Sequence, residues 1–324
     1  MTTHRRQISV AIAIFVLAIV LAFAAPGYFS RENLTDLFLA NVPVLVVALG
    51  MTLVILIGQI DISVGSIFAI CAVSAGLLAK SGAPAPFIAL CACCVGAMLG
   101  ALNGALVAYV RIPSIVVTLA SMVALRDALR WQTQGAWVQD LPAGFQWLGF
   151  SQTAYPYMSL VVAVALSTGM AWGLRNLGAG RAVYAVGSNE EGARLAGIHT
   201  RLVTLSVFVF TGALTGFAAV LNAVRFNQIP SNGGLGLEMK VIAAVVVGGA
   251  AITGGRGTIV GTLLGVILLG AIGPALTFLG ISAYWERAVQ GGIILAAIVI
   301  DAVRSRTTQA RREKNGSNLA ASPA

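Results

Sequence analysis

Long uncharged apolar runs constrain this chain more than any other feature. They cover residues 7–25, 37–60, 62–79, 81–110, 157–174, 202–224, 257–285 and 288–300. Runs near or above ~18 residues are long enough to cross the hydrocarbon core of a bilayer as helices. Of the 324 residues, 58% are hydrophobic and 10% charged, whereas a soluble domain carries roughly 25% charged residues. A soluble fold of this size could not cover its surface. The pattern excludes a secreted disulfide scaffold, a disordered chain, a nucleic-acid-binding domain and most soluble enzymes, and it makes the lipid bilayer the first partner.

The runs divide into ten expected membrane segments, at about 8–25, 42–58, 63–79, 86–108, 113–129, 157–174, 203–224, 240–252, 258–279 and 288–303. The eighth is short and dense in glycine, which predicts a broken or re-entrant helix there. The expected fold class is therefore all-α, a polytopic integral membrane protein with about ten transmembrane helices. Its membrane domain spans 1–303 and a disordered tail follows at 304–324. Both ends are basic, with Arg5 and Arg6 at the start and Arg304, Arg306, Arg311, Arg312 and Lys314 at the end. Lys and Arg accumulate on the cytoplasmic side of membrane proteins, so both termini are expected there. With that orientation thirteen of the 20 basic residues and five of the 11 acids fall inside, a net charge of +8 against +1 outside. The start also suits a signal peptide ending near Ala22-Phe23-Ala24. The 18 residues from Ile8 to Ala25 exceed the ~7–15 of a signal-peptide core, which favours an uncleaved first helix.

Glycine recurs every four residues at Gly96, Gly100 and Gly104, at Gly257, Gly261 and Gly265, and at Gly212 and Gly216. Small residues at this spacing let helices approach closely where lipid gives no hydrophobic drive. The cluster Cys91, Cys93 and Cys94 lacks a nearby His, Asp or Glu and does not have zinc-site spacing. These cysteines read as small apolar residues.

Asp61 stands alone between two apolar runs, with Gly58 and Gly65 flanking it and Gln59 and Ser63 beside it. A carboxylate at such depth is costly and marks a functional or structural centre. Three readings are open: a proton or ion site, part of a solute path, or a structural cap or ion pair, with Arg256 as the possible partner.

The stretch 175–202 is the longest polar insertion on the expected cytoplasmic side. Ser188-Asn189-Glu190-Glu191 fits a capping box with Ser188 as N-cap, and Gly197 suits the C′ position that ends a helix. Between them lie about two turns, too short to be stable alone. The pattern predicts a small rigid knob that presses into something else.

Three stretches carry a family resemblance. Residues 185–198, Ala-Val-Gly-Ser-Asn-Glu-Glu-Gly-Ala-Arg-Leu-Ala-Gly-Ile, resemble the cytoplasmic coupling loop of the ribose-type permeases of ATP-binding-cassette importers. Gly50 to Leu56 with Asp61 to Ser66 resembles that family's second-helix motif, and Gly236 to Gly249 with Gly254 to Thr258 resembles its late glycine-rich signature. The resemblance implies the permease subunit of a ribose-, rhamnose- or autoinducer-2-type importer in a bacterial inner membrane. The implied partners are a second permease subunit, identical or a paralogue, a cytoplasmic ABC ATPase and a periplasmic sugar-binding protein. No nucleic acid is implied.

Carried over by position, Gly187, Ser188, Asn189, Glu190, Glu191, Ala193, Arg194, Leu195, Gly197 and Ile198 would form the ATPase contact, with Arg194 as polar donor and Ile198 as apolar anchor. Gln59, Asp61, Ser63, Gly65, Asn103, Gly254, Gly255, Arg256 and Gly257 would serve the translocation path or its framework. The chain lacks G-x-x-x-x-G-K-[ST], so ATP would be bound by the partner ATPase and no cofactor by this chain. His4 and His199 are the only histidines, and no catalytic or metal set is expected. Thr52, Thr118, Ser121, Thr211 and Asn222 could also line a path for a monosaccharide or small polyol or could simply join helices. The segments 131–156 and 225–240 would face the binding protein. The rival readings are an ion-coupled secondary transporter using Asp61 and a membrane-embedded enzyme or scaffold.

Overall fold

A computed structural model describes residues 2–25 and 27–282 and scattered positions from 284 to 295. Most of the expected tenth segment, 288–303, and the tail at 304–324 with its basic residues lie outside the described residues. The elements are α1 (Thr2–Ala24), α2 (Arg31–Leu56), α3 (Val64–Lys80), α4 (Ala85–Ala108), α5 (Ser114–Thr133), α6 (Tyr155–Asn176), α7 (Gly178–Ser188), α8 (Glu190–Leu195), α9 (Thr200–Ala223), α10 (Leu237–Val247) and α11 (Ile259–Phe278). Among the described residues β-pairing is limited to one isolated bridge, Val138 with Ile229.

Nine of the ten expected segments are helices. Among the described residues six are long and apolar enough to cross a bilayer: α1 from Arg6, α2, α4, α6, α9 and α11. α5 has the length but carries Arg126, Asp127 and Arg130. α10 has 11 residues, ~16 Å at ~1.5 Å per residue, about half of the ~30 Å core. The glycines flanking it stop it early, as the eighth segment's composition predicts.

α2 is the central helix. From Val42 to Leu56 it is buried on every side, which suits a helix apolar all round, and it packs against α6, α9, α10 and α11. The outer helices expose large apolar side chains, among them Phe15, Phe23, Leu90, Met98, Val161 and Trp172, as lipid-facing surfaces do. The glycine triplet of α4 and the glycine pair of α9 are two faces of one contact. A Cβ at Gly96 would strike the Gly212 carbonyl, one at Gly100 the Phe208 carbonyl, and one at Gly216 the Ala92 carbonyl. Gly261 and Gly265 likewise let α11 rest on Gly248 and on Ala244 of α10.

α1 runs parallel to α11: Gln7 Nε2 donates to Thr258 Oγ1 at the start of α11, while Leu21, Ala25 and Tyr28 pack with Ala275 near its end. The start of α1, the end of α2, α7, α8 and the 248–258 loop therefore lie at one end of the bundle. These are segments that charge counting assigns to the cytoplasm. At the other end, segments 131–156 and 225–236 form a joint cap. Val138 and Ile229 exchange both backbone hydrogen bonds, and Trp147 N donates to Val224 O at 2.8 Å.

Candidate functional site

The three stretches that carry the family resemblance meet in space. Gly255 N donates to Leu56 O at 2.8 Å, which ties the 248–258 loop to the last turn of α2. Tyr184 Oη of α7 donates to Gly257 O at 2.9 Å. Gly254 has φ +85°, and a Cβ there would lie 2.7 Å from Gly187 O and 2.8 Å from Gly58 N. Only glycine satisfies both that backbone and that space. A Cβ at Gly187 would fall on the Leu56 carbonyl, so Gly187 packs within its own subunit rather than facing an ATPase.

Beyond this junction the knob projects. α7, with Gly180, Val183 and Val186 buried, was not foreseen in the sequence; it leads through Asn189 into α8. The helix start differs from expectation by one residue. Asn189, not Ser188, is the N-cap, its Oδ1 accepting from Gly192 N at 3.0 Å. Ser188 ends α7 instead. Glu191 does not close a capping box; it pairs with Arg194 across one turn, with Nε to Oε2 at 3.1 Å. This pairing holds the Glu191 carboxyl below, and the Arg194 guanidinium above, their ordinary pKa values. The helix ends as expected. Gly197 N donates to Arg194 O and Ile198 N to Ala193 O, both at 3.0 Å, with Gly197 at φ +83°, a complete Schellman end.

The exposed apolar side chain at the tip is Leu195, 77% exposed. Ile198, expected as the apolar anchor, packs half-buried against the subunit core, because the Schellman turn folds it back. Glu190, Glu191, Arg194 and Leu195 are the exposed side chains of α8, while Ala193 faces inward. Beside α8 opens a cleft of about 1140 Å³, lined by Gln59, Arg111, Glu191, Arg194, His199 and Arg201 among others.

The end of α2 leads directly into the Asp61 segment. Asp61 is fully buried, and its Oδ1 accepts from Ser63 N at 2.9 Å and Ser63 Oγ at 2.6 Å. Asn103 Nδ2 of α4 donates to Ser63 Oγ at 2.8 Å, and Ser121 Oγ of α5 donates to Asn103 Oδ1. Ile60 is held from both sides, its N–H by Ser114 Oγ and its carbonyl by Thr118 Oγ1. The segment is thus a non-helical insertion pinned by two helices, which satisfies most of its freed polar groups. Asp61 Oδ2 has no hydrogen-bond partner. The expected Asp61–Arg256 pair does not form: Arg256 is exposed in the 248–258 loop, while Asp61 turns inward onto Ser63. Thr52 bonds Thr262 Oγ1 at 2.7 Å and Thr211 bonds Gly50 O at 3.1 Å, so both join helices.

Two ionic residues that sequence reasoning did not single out sit on the other side of the α3 start. Arg126 of α5 faces Glu238 in the first turn of α10, with Nη2 and Oε2 3.8 Å apart. A Cβ at Gly65 would collide with Glu238 Oε2, so Gly65 makes room for this carboxylate.

A family profile described as branched-chain amino acid transport system / permease component matches residues 33–298. Three relatives carry the description autoinducer 2 import system permease protein LsrC. The one from Salmonella typhimurium is 37% identical over 297 residues, 88% of this chain and 84% of its own. That from Yersinia pseudotuberculosis is 36% identical over 302 residues, 92% and 85%, and that from Escherichia coli 36% over 295 residues, 88% and 85%. No solved structure matches the chain. The matches do not favour an ion-coupled transporter.

Proposed function

Because the chain belongs to the family of branched-chain amino acid transport system permease components, we propose that it forms the translocation path of an ATP-binding-cassette importer for a small polyol, of the monosaccharide or autoinducer-2 kind. The observation that carries the coupling half of this reading is the α8 knob. It is rigidly capped at both ends, presents Leu195 to its surroundings, and stands on a junction that joins α7 to the end of α2. A single exposed Leu needs no partner on its own; what supports the reading is that α8 holds Leu195 outward between a side-chain cap and a Schellman end, in the stretch that resembles the coupling loop.

In this reading α8 sits in a groove of a cytoplasmic ATPase, a second permease subunit completes the pore, and a binding protein delivers solute to the cap made by 131–156 and 225–236. The membrane is the bacterial inner membrane, with α7 and α8 inside. Closure of the ATPase pair moves α8, and the Gly187–Leu56–Gly255 backbone contacts pass that movement to the Asp61 segment. ATP stays on the partner, and this chain does no hydrolysis.

The reading is tested by reconstituting the permease with its ATPase and binding protein in vesicles and following solute uptake with ATP inside. ATP-dependent uptake that Leu195→Glu removes supports it. Uptake that needs only an imposed ion gradient contradicts it.

A further inference from the structure

Arg126 and Glu238 form an ion pair whose facing atoms do not reach each other. Nη2 and Oε2 stand 3.8 Å apart, beyond hydrogen-bond distance. Both atoms are buried, and neither has a hydrogen-bond partner. Their side chains are 20% and 8% exposed. Burying such groups without satisfying them is costly, so at this separation the pair is an incomplete structural bridge.

The surroundings are built to keep it there. Glu238 Oε1 is held by Gly236 N at 3.3 Å. Its Oε2 lies over Gly65 in the first turn of α3, where any side chain would displace it. Two helix starts, those of α3 and α10, thus meet at this carboxylate, and each favours negative charge. Arg126 lies twelve residues along α5 from Ser114, ~18 Å from that end at ~1.5 Å per residue. Ser66 Oγ to Met122 O at 2.7 Å fixes α5 against α3 one turn below Arg126.

We propose that Arg126 and Glu238 are a recognition station for the transported solute, where adjacent neutral hydroxyls reach Arg126 Nη2 and Glu238 Oε2 from beside the pair. A hydroxyl donates to the carboxylate and accepts from the guanidinium, so one diol satisfies both atoms. The two protein charges already balance, so a charged solute would leave a net buried charge and is disfavoured. This inference rests on the importer reading above and assigns its solute contact.

The test uses the complete importer in vesicles with radiolabelled ribose, rhamnose and autoinducer 2, and with monodeoxy analogues of whichever is transported. Glu238→Gln and Arg126→Lys are expected to lower uptake at least tenfold while membrane insertion and assembly with the ATPase stay unchanged. For one deoxy position the analogue should lose its advantage equally, so that wild type and Glu238→Gln carry it at the same rate. If Glu238→Gln does not insert, Arg126→Lys, which keeps the charge but not the planar fork, carries the same comparison. The proposal is overturned if the exchange Arg126→Glu with Glu238→Arg restores uptake to within twofold of wild type, the mark of a structural pair. It is also overturned if the variants slow every analogue as much as the parent solute. Absence of ATP-driven uptake by the wild-type importer itself removes the importer reading and this inference together.

Discussion

The Gly255 amide donates to the Leu56 carbonyl at 2.8 Å, and this bond closes a junction where the end of α2, the end of α7 and the 248–258 loop touch largely through backbone, with Tyr184 Oη on Gly257 O beside it. Backbone contacts of this kind do not deform smoothly. In the coupling proposed above, the three segments move as a unit, so that what moves α8 also moves the segment that carries Asp61.

Gly187→Ala tests the junction. The added methyl falls on the Leu56 carbonyl, and overpacking of this kind costs about 1–3 kcal/mol. The expected outcome is a lower melting temperature of the detergent-solubilised permease and ATP hydrolysis that no longer drives uptake. Gly169→Ala is the control, since Gly169 also lies inside a helix but its Cβ position is open.

Leu195→Glu addresses the knob. Covering an exposed Leu is worth about 1.5–3 kcal/mol, so affinity for the ATPase should fall by roughly ten- to a hundredfold in a binding assay. The fold should be unaffected, since the side chain is 77% exposed. Arg194→Glu breaks the pair with Glu191 and gathers three acids on one short helix, and it should uncouple hydrolysis from uptake without changing insertion.

The cap assignment is tested by Asn189→Ala against Ser188→Ala. Loss of a capping side chain costs about 1 kcal/mol, so Asn189→Ala should increase proteolytic cleavage within 189–197, whereas Ser188→Ala should not.

Much of this arrangement was legible in the sequence, for identifiable reasons. Lipid requires long apolar runs and forces backbone groups into helices, so nine segments could be placed from composition. Glycine at four-residue spacing marked α4 and α9 as closely packed helices, while their packing on one another became visible only in three dimensions. Cap register was less legible, since Ser188 and Asn189 are both good N-caps and only the geometry of α7 decides between them. α7 itself offers only Gly180, Val183 and Val186 as a face, too few for a clear periodic signal. The Arg126–Glu238 pair was hidden because it depends on two helix starts meeting in three dimensions. In the sequence Arg126 stands beside Asp127 and Arg130 near the end of a segment, and nothing there singles it out.

Asn103→Leu is expected to destabilise the interior chain. It removes the partner of both Ser63 and Ser121, and each buried group left unsatisfied costs about 1–3 kcal/mol. The thermal midpoint should fall clearly, while ATPase binding through α8 stays unchanged.

The central claim is that this permease is driven through α8 by ATP hydrolysed on a partner. Its most direct test is solute uptake into vesicles that contain the permease and its ATPase, supplied with binding protein, measured with and without internal ATP at zero ion gradient. The account predicts uptake that requires ATP and is lost in Leu195→Glu. Equal uptake without ATP, or driven by a proton or sodium gradient in the absence of the ATPase, would contradict it.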